Sequence, residues 1–264
     1  MVREGITTAL ILEDDADWDV FLKQQLKTYA RAARHLQKNG LTANDPRNSH
    51  VQLDSPYGSD WDLLWIGTCG AINKFTDDQS NWVVQEDPTA VPRKLWSYDR
   101  RQPNTLPAVL SASNYTRFVF EPAHGLCLFG YGLSLRGAKR LLYHQSLSGQ
   151  ALAVDRGIVK MCRENYSGFR CFVTYPAIFG QHRARGSMIK DSDIMGVVDN
   201  FREVGETAQI VFSTRLNLKG LIAGERQVES QYPEDTMYAS ASLDETLPDG
   251  HGVFIRKEEF MLES

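Results

Sequence analysis

The sequence predicts an α/β fold, and three observations predict it. Ala9-Leu10-Ile11-Leu12 is a short unbroken apolar run, of the kind that suits a strand buried on both faces of a parallel sheet. After it, Trp18, Leu22, Leu26, Tyr29, Ala33 and Leu36 recur at steps of four or three, so a helix over about 18–38 presents one apolar face. A second apolar run, Leu63-Leu64-Trp65-Ile66, repeats the strand signature. With 264 residues, 42% hydrophobic and 23% charged, the chain has the length and composition to bury a substantial core.

The other elements follow in order. Asn39-Gly40 stops the first helix, and the turn-rich residues 41–60 read as a surface loop. Gly67 ends the second strand. Residues 71–116 hold Pro88, Pro92, Pro103 and Pro107 without sustained periodicity, which reads as a long excursion, either an ordered active-site loop or an insertion. Segments 117–121 and 126–129 are strand-like, and Ser134 caps the helix "LRGAKRLLYHQ". Asp155 stands in the same relation to "RGIVKMCREN". "FRCFVTYP", from Phe169, is a β-branched and aromatic strand stopped by Pro176. Residues 180–193 are polar, glycine-bearing and loop-like. Beyond Ile194 short helical pieces mix with "QIVFSTRLNL", and the tail after Gly224 is acidic and weakly patterned. The expected organisation is a domain over 1–200 and an extension over 201–264 that packs on it or trails from it. No internal repeat is present.

Charge and cysteine usage narrow the classes. A net charge of −4 with no Lys/Arg block argues against a nucleic-acid reader. No apolar run approaches the length of a membrane span, and residues 1–12 lack the basic start and small-residue cleavage site of a signal peptide. Cys69, Cys127, Cys162 and Cys171 show no C-x-x-C spacing, so neither a zinc knuckle nor a redox pair is indicated. Cys127 and Cys171 lie in apolar runs and read as buried thiols. Two sequons, Asn114-Tyr115-Thr116 and Asn165-Tyr166-Ser167, matter only in a secretory compartment.

The chemistry concentrates in "LEDDADWD", where five of the seven residues from Glu13 to Asp19 are acidic. A strand that delivers carboxylates at its carboxyl end puts them at the edge of an open α/β sheet, where ligands bind. Clustered carboxylates repel, and a hard divalent cation makes that arrangement favourable. Asp17 and Asp19 also suit the first turn of the following helix, where the dipole favours them. A response-regulator receiver does not fit, because Ile66 or Gly67 stands where its phospho-accepting Asp belongs. A haloacid-dehalogenase start at Asp17-Trp18-Asp19 lacks the apolar strand abutting its first Asp.

Three segments together resemble glycosyltransferase family 25: "ALILEDDADWD", then "GLCLFGYGLSLRGAKRLLYHQSL", then "AVDRGIVKM" with "TYPAIFGQHRARGSMIKDSDI". The second carries the family's spacing through Gly130, Tyr131, Ser134, Gly137, Ala138, Leu141 and Leu142. The resemblance covers roughly residues 5–195. It implies a GT-A-type Rossmann-like nucleotide-sugar-binding fold, and inverting transfer of a hexose, galactose foremost, from a UDP-sugar to a glycan or protein hydroxyl. The family's metal motif matches Glu13-Asp14-Asp15. Mn²⁺ is the implied cofactor, with Asp15 as direct ligand and Glu13 and Asp14 positioning it or contacting the ribose. Asp155 matches the Val-Asp helix start and is the candidate base, its other reading being a plain helix cap. His182 and Asp193 are candidates for a further metal ligand, with Gln181 and Ser192 beside them on the same segment. Arg183 and Arg185 are candidates for the diphosphate. Tyr131 and Ser134 suit structural roles.

The chain departs from the family at its front, where members carry an Arg-rich first strand and some seventy or more residues before the acidic strand. The expectation is therefore an N-terminally truncated fold with an exposed edge or apolar face. An ER or Golgi lumen location, through an anchor in the lacking portion, is what the resemblance implies. The alternative expectation is a remnant that keeps the fold and binds a carbohydrate or partner without turnover.

Overall fold

A mixed seven-stranded sheet organises the chain, in a computed structural model that describes residues 1–38, 55–73, 80–96, 114–147, 152–191 and 199–256. The first half contributes β1 (Thr8–Leu12), β2 (Ala16–Trp18), α1 (Leu22–Lys38), β3 (Leu63–Gly67), β4 (Gly70–Asn73) and β5 (Ser80–Gln85). The middle adds β6 (Arg117–Phe120), β7 (Pro122–Leu126), β8 (Gly130–Ser134), α2 (Leu135–Ser146), α3 (Val154–Glu164), β9 (Cys171–Tyr175) and β10 (Phe179–Arg183). The last part holds β11 (Gly186–Ser187), β12 (Phe201–Arg202), β13 (Glu206–Thr207), α4 (Leu218–Ile222), β14 (Gln227–Glu229), β15 (Ser240–Ser242) and β16 (His251–Arg256). Strands run in the order β1-β8-β3-β9-β6-β5-β16, and β3–β9 is the parallel pair among antiparallel neighbours.

Alternation along the central strands sends side chains to two cores. Leu63 and Trp65 of β3, with Cys171, Val173 and Tyr175 of β9, face α2 and α3 and pack with Ala138, Ile158 and Met161. Leu64, Ile66 and Phe172 face the other way, against Tyr29, Ala32 and Leu36 of α1. Tyr29 is fully buried and donates its hydroxyl to the Phe172 carbonyl at 2.9 Å, which locks α1 onto the middle of the sheet. Arg117 makes a second internal bolt: its guanidinium pairs with Asp87 at 2.7 Å and donates to the carbonyls of Thr89, Pro176 and Ala177. The Tyr175–Pro176 peptide beside it is cis.

Several elements differ from the sequence reading. The expected buried parallel strand at 9–12 is instead an edge strand, antiparallel to β8, with Leu10 54% and Leu12 39% exposed. A short apolar run cannot by itself distinguish a central from an edge position. The helix expected from residue 18 begins at Leu22, because β2 occupies 16–18 and holds Trp18 in an extended pair with Phe179. Within the excursion 71–116, β4 and β5 are regular strands, and β5 belongs to the main sheet. The strand expected at 126–129 is displaced to β7 and β8, so the Gly130-Tyr131-Gly132 segment lies inside the sheet. Glycine is required there: a Cβ on Gly67 would lie 2.4 Å from the Gly130 nitrogen, and one on Gly130 would meet Phe179 and Leu12. The helix expected to be capped by Asp155 has Ala153 as its N-cap, with Asp155 in its first turn.

Cys127 and Cys171 are not free thiols. Disulfides join Cys69 to Cys127 and Cys162 to Cys171, with Cα atoms 5.6 and 5.5 Å apart. Neither pair follows a sequence motif; topology brings them together, the first across the β4–β7 pair and the second from the end of α3 to the start of β9. Residues after 200 supply β13 against β10, the buried Ile210-Val211-Phe212, and the outer strand β16. No helix among the described residues is long and apolar enough to cross a membrane.

Candidate functional site

The acidic run folds as a turn between β1 and β2. Glu13 donates its amide to the Phe129 carbonyl at 3.1 Å, and Ala16 closes the turn by donating to the Glu13 carbonyl at 3.1 Å. β10 runs antiparallel to β2, pairing Gln181 with Ala16, and His182 donates its amide to the Asp15 carbonyl at 2.8 Å. The close approach behind β10 again needs glycine, since a Cβ on Gly180 would lie 2.1 Å from the Ala208 carbonyl oxygen. Residues 180–183, expected as loop, are therefore the strand that carries half of the candidate site.

Alternation along β10 divides its side chains. Gln181 Nε2 and Arg183 Nη1 each donate to Asp15 Oδ2 at 3.0 Å. The other oxygen, Asp15 Oδ1, is buried and has no hydrogen-bond partner among the described residues. His182 turns instead to Thr207, with Nδ1 3.0 Å from Oγ1. The Thr207 hydroxyl already donates to Asp17 Oδ2 at 2.7 Å, so Nδ1 carries the proton and Nε2 keeps its lone pair. Burial, foremost, lowers the His182 pKa below its ordinary value and keeps the ring neutral.

Glu13 reaches solvent at the turn, yet its carboxyl is held above the usual carboxylate range. Desolvation by the surrounding protein is the largest cause, followed by the negative charges of Asp15, Asp14 and Asp155, with Arg183 opposing them. Asp155 therefore stands within electrostatic reach of Glu13, although it lies on α3. Its own Oδ1 accepts the Arg156 amide at 2.7 Å. Tyr131 is raised by burial and then by Glu13, which places its phenol at the same acidic turn. The turn thus holds three carboxylates beside one guanidinium, with the charge of Asp155 felt from α3.

The remaining candidates divide. Arg185 pairs with Glu203 at 3.8 Å on the exposed surface and takes no part in the cluster. Ser192 and Asp193 lie outside the described residues. Asp17 and Asp19, expected in the first turn of α1, are both fully buried ahead of it. Asp17 accepts the hydroxyls of Thr207 and Ser213 and the amides of Trp18 and Arg215. Asp19 accepts the amides of Phe21 and Phe212, both at 2.9 Å. Both acids bind residues 207–215 to the acidic strand rather than facing a ligand. Arg215 also donates to the Asp14 carbonyl at 2.7 Å, fixing the turn from behind. Sequence reading missed Thr207, Ser213 and Arg215, since nothing in the weakly patterned tail marks partners about two hundred residues away.

The donors suit a hard cation at one point: the unpartnered buried oxygen of Asp15, with Glu13 and Asp14 adjacent. No group of three His, Cys, Asp or Glu that could hold a metal is assembled among the described residues. Comparison with protein-family models, with curated proteins and with solved structures gives no match.

Proposed function

We propose that the chain is a metal-dependent inverting glycosyltransferase that moves a hexose, galactose foremost, from a UDP-sugar to an acceptor hydroxyl. The observation that carries this reading is the turn at Glu13–Asp15, where a buried carboxylate oxygen is left without a partner beside Arg183 and within reach of Asp155. The resemblance to glycosyltransferase family 25 gives that geometry its chemistry, and with it a GT-A-type nucleotide-sugar fold.

In this reading Asp15 would hold Mn²⁺ directly, with Glu13 and Asp14 positioning it or contacting the ribose, and Asp193 and His182 are the candidates to complete its shell. The cation supplies stabilisation of the negative charge that gathers on the leaving nucleoside diphosphate. Gln181 holds Asp15 in place through Oδ2. Arg183, paired with the same oxygen, is free to exchange one carboxylate partner for a phosphate oxygen, since its planar fork serves either. Asp14 and Ser192 contact the nucleotide. Asp155, at the start of α3 and within electrostatic reach of Glu13, is the group that would take the proton from the acceptor hydroxyl.

One observation favours the second reading, a fold that binds a carbohydrate or partner without turnover: Arg183 and Gln181 already saturate Asp15 Oδ2. Calorimetry with Mn²⁺ and UDP separates the readings when joined to donor hydrolysis. Metal-dependent UDP binding that Asp15→Ala removes, with hydrolysis of UDP-galactose that Asp155→Asn removes, supports the enzyme. Binding without hydrolysis supports the binding module. Titration curves identical for the native chain and Asp15→Ala sink the site itself.

A further inference from the structure

We infer that Asn165 is a site of asparagine-linked glycosylation. Three observations meet there. Asn165 ends α3 as its C-cap, in the left-handed region at φ 48° and ψ 41°, and its side chain is exposed. A left-handed cap explains an asparagine but not the rest of the sequon, Asn165-Tyr166-Ser167. Ser167 is itself left-handed at φ 52° and ψ 31°, a conformation that favours glycine or asparagine, and its exposed hydroxyl makes no hydrogen bond with the described residues. Local backbone preference therefore argues against serine at 167, whereas a hydroxyl two residues after the asparagine is what the modifying enzyme reads.

The disulfides are the second, independent line. All four cysteines are paired, and Cys162–Cys171 flanks the sequon on both sides. Disulfides persist in oxidising compartments, and the secretory route is where oligosaccharide transfer to asparagine takes place. The third line is the surface around the site. Asn165 borders a polar cavity of about 490 Å³ walled by Arg136, Arg140, Arg170, Asp60 and Glu121. Arg136 and Arg170 pair with Asp60, Arg170 also with Glu121, and Arg140 with the buried Asp62 outside that wall, so each guanidinium has a carboxylate partner and the rim makes no net demand for an ion, a bed suited to the first neutral sugars. Asn165 and Asp155 lie at opposite ends of an 11-residue helix, about 15 Å apart along its axis, so a glycan at 165 leaves the acidic turn open.

The donor is an oligosaccharide carried on a polyprenyl diphosphate. The Asn165 amide nitrogen forms a bond to the anomeric carbon, the bond from that carbon to the diphosphate oxygen breaks, one amide proton is lost, and the lipid diphosphate leaves. The test uses the full chain isolated from the cells that make it. Peptide-N-glycosidase treatment in H₂¹⁸O, then trypsin, yields the peptide 164–170 with Asn165 converted to ¹⁸O-labelled aspartate in most copies. Ser167→Ala, which keeps the asparagine and its cap, loses the label, and alkylation without reduction finds no free thiol. An unlabelled, unmodified 164–170 peptide overturns the inference, and so does alkylation of the cysteines before reduction.

Discussion

Two groups of carboxylates, one residue apart in sequence, live in opposite environments. Asp17 and Asp19 are fully buried, and each oxygen has donors from the segment 207–215 or the adjoining turn. Glu13, Asp14 and Asp15 lie at the sheet edge, where Asp15 has one oxygen saturated and one bare. The difference separates acids committed to the fold from acids with a valence left over. Burial does not make that separation, because a buried carboxylate surrounded by donors has no valence to offer a ligand. An unfilled valence at the edge of the satisfied network is the better sign.

The sharpest way to break that contrast is to remove the buried acceptor. Asp17→Ala strands two hydroxyls and two amides, and urea unfolding should show a loss of about 3–5 kcal/mol; an unchanged midpoint would mean that the clamp on 207–215 is dispensable. Next comes pH. Burial pushes the Asp19 carboxyl up to about 7 from an ordinary 3.8, against the opposing pull of its two amide donors. The stability it supports is thus complete below about pH 4 and lost as pH rises through 7, by up to about 4 kcal/mol. Thermal unfolding between pH 4 and 8 should show that decline in the native chain and a flatter profile in Asp19→Asn.

The edge acids should respond in the opposite sense. Asp15→Ala should change stability by no more than about 1 kcal/mol while weakening Mn²⁺ binding, read by calorimetry, at least about tenfold. A large stability loss without a binding change would move Asp15 into the structural group. The smallest effect is expected from Arg183→Ala. Its ion pair is partly exposed at 21% and 29%, so stability should shift by about 1 kcal/mol or less. Mn²⁺ alone should bind at least as well as before, whereas UDP affinity should fall.

The elements legible in the sequence were those with one strong period and clear ends. α1 had its stripe of Leu26, Tyr29, Ala33 and Leu36, α2 its Ser134 cap, which accepts the Gly137 amide at 3.0 Å, β3 its unbroken apolar run, and β9 its β-branched and aromatic residues ahead of Pro176. What escaped was held by contacts rather than by pattern. β8 and β10 carry glycines and polar residues because neighbouring backbones approach them closely, so both resemble loops. β16 reads as tail because it borders the sheet on one side. Of the candidate residues, Gln181 and Arg183 meet Asp15 at the turn that also carries Glu13 and Asp14, and Asp155 acts on Glu13 from α3. The inward roles of Asp17 and Asp19 were not legible, since their donors come from the far end of the chain.

That last feature bears on how the protein is made. β5 finds its outer partner in β16, and Asp17 finds Ser213 at a separation of 196 residues. Synthesis at about 5–20 residues per second leaves these early segments waiting roughly ten seconds or more for their partners. During that interval an open strand edge and a cluster of unscreened acids face the cellular milieu. The nascent chain is thus most vulnerable to misassociation before its closing strand emerges, and chaperone dependence should fall on its first half.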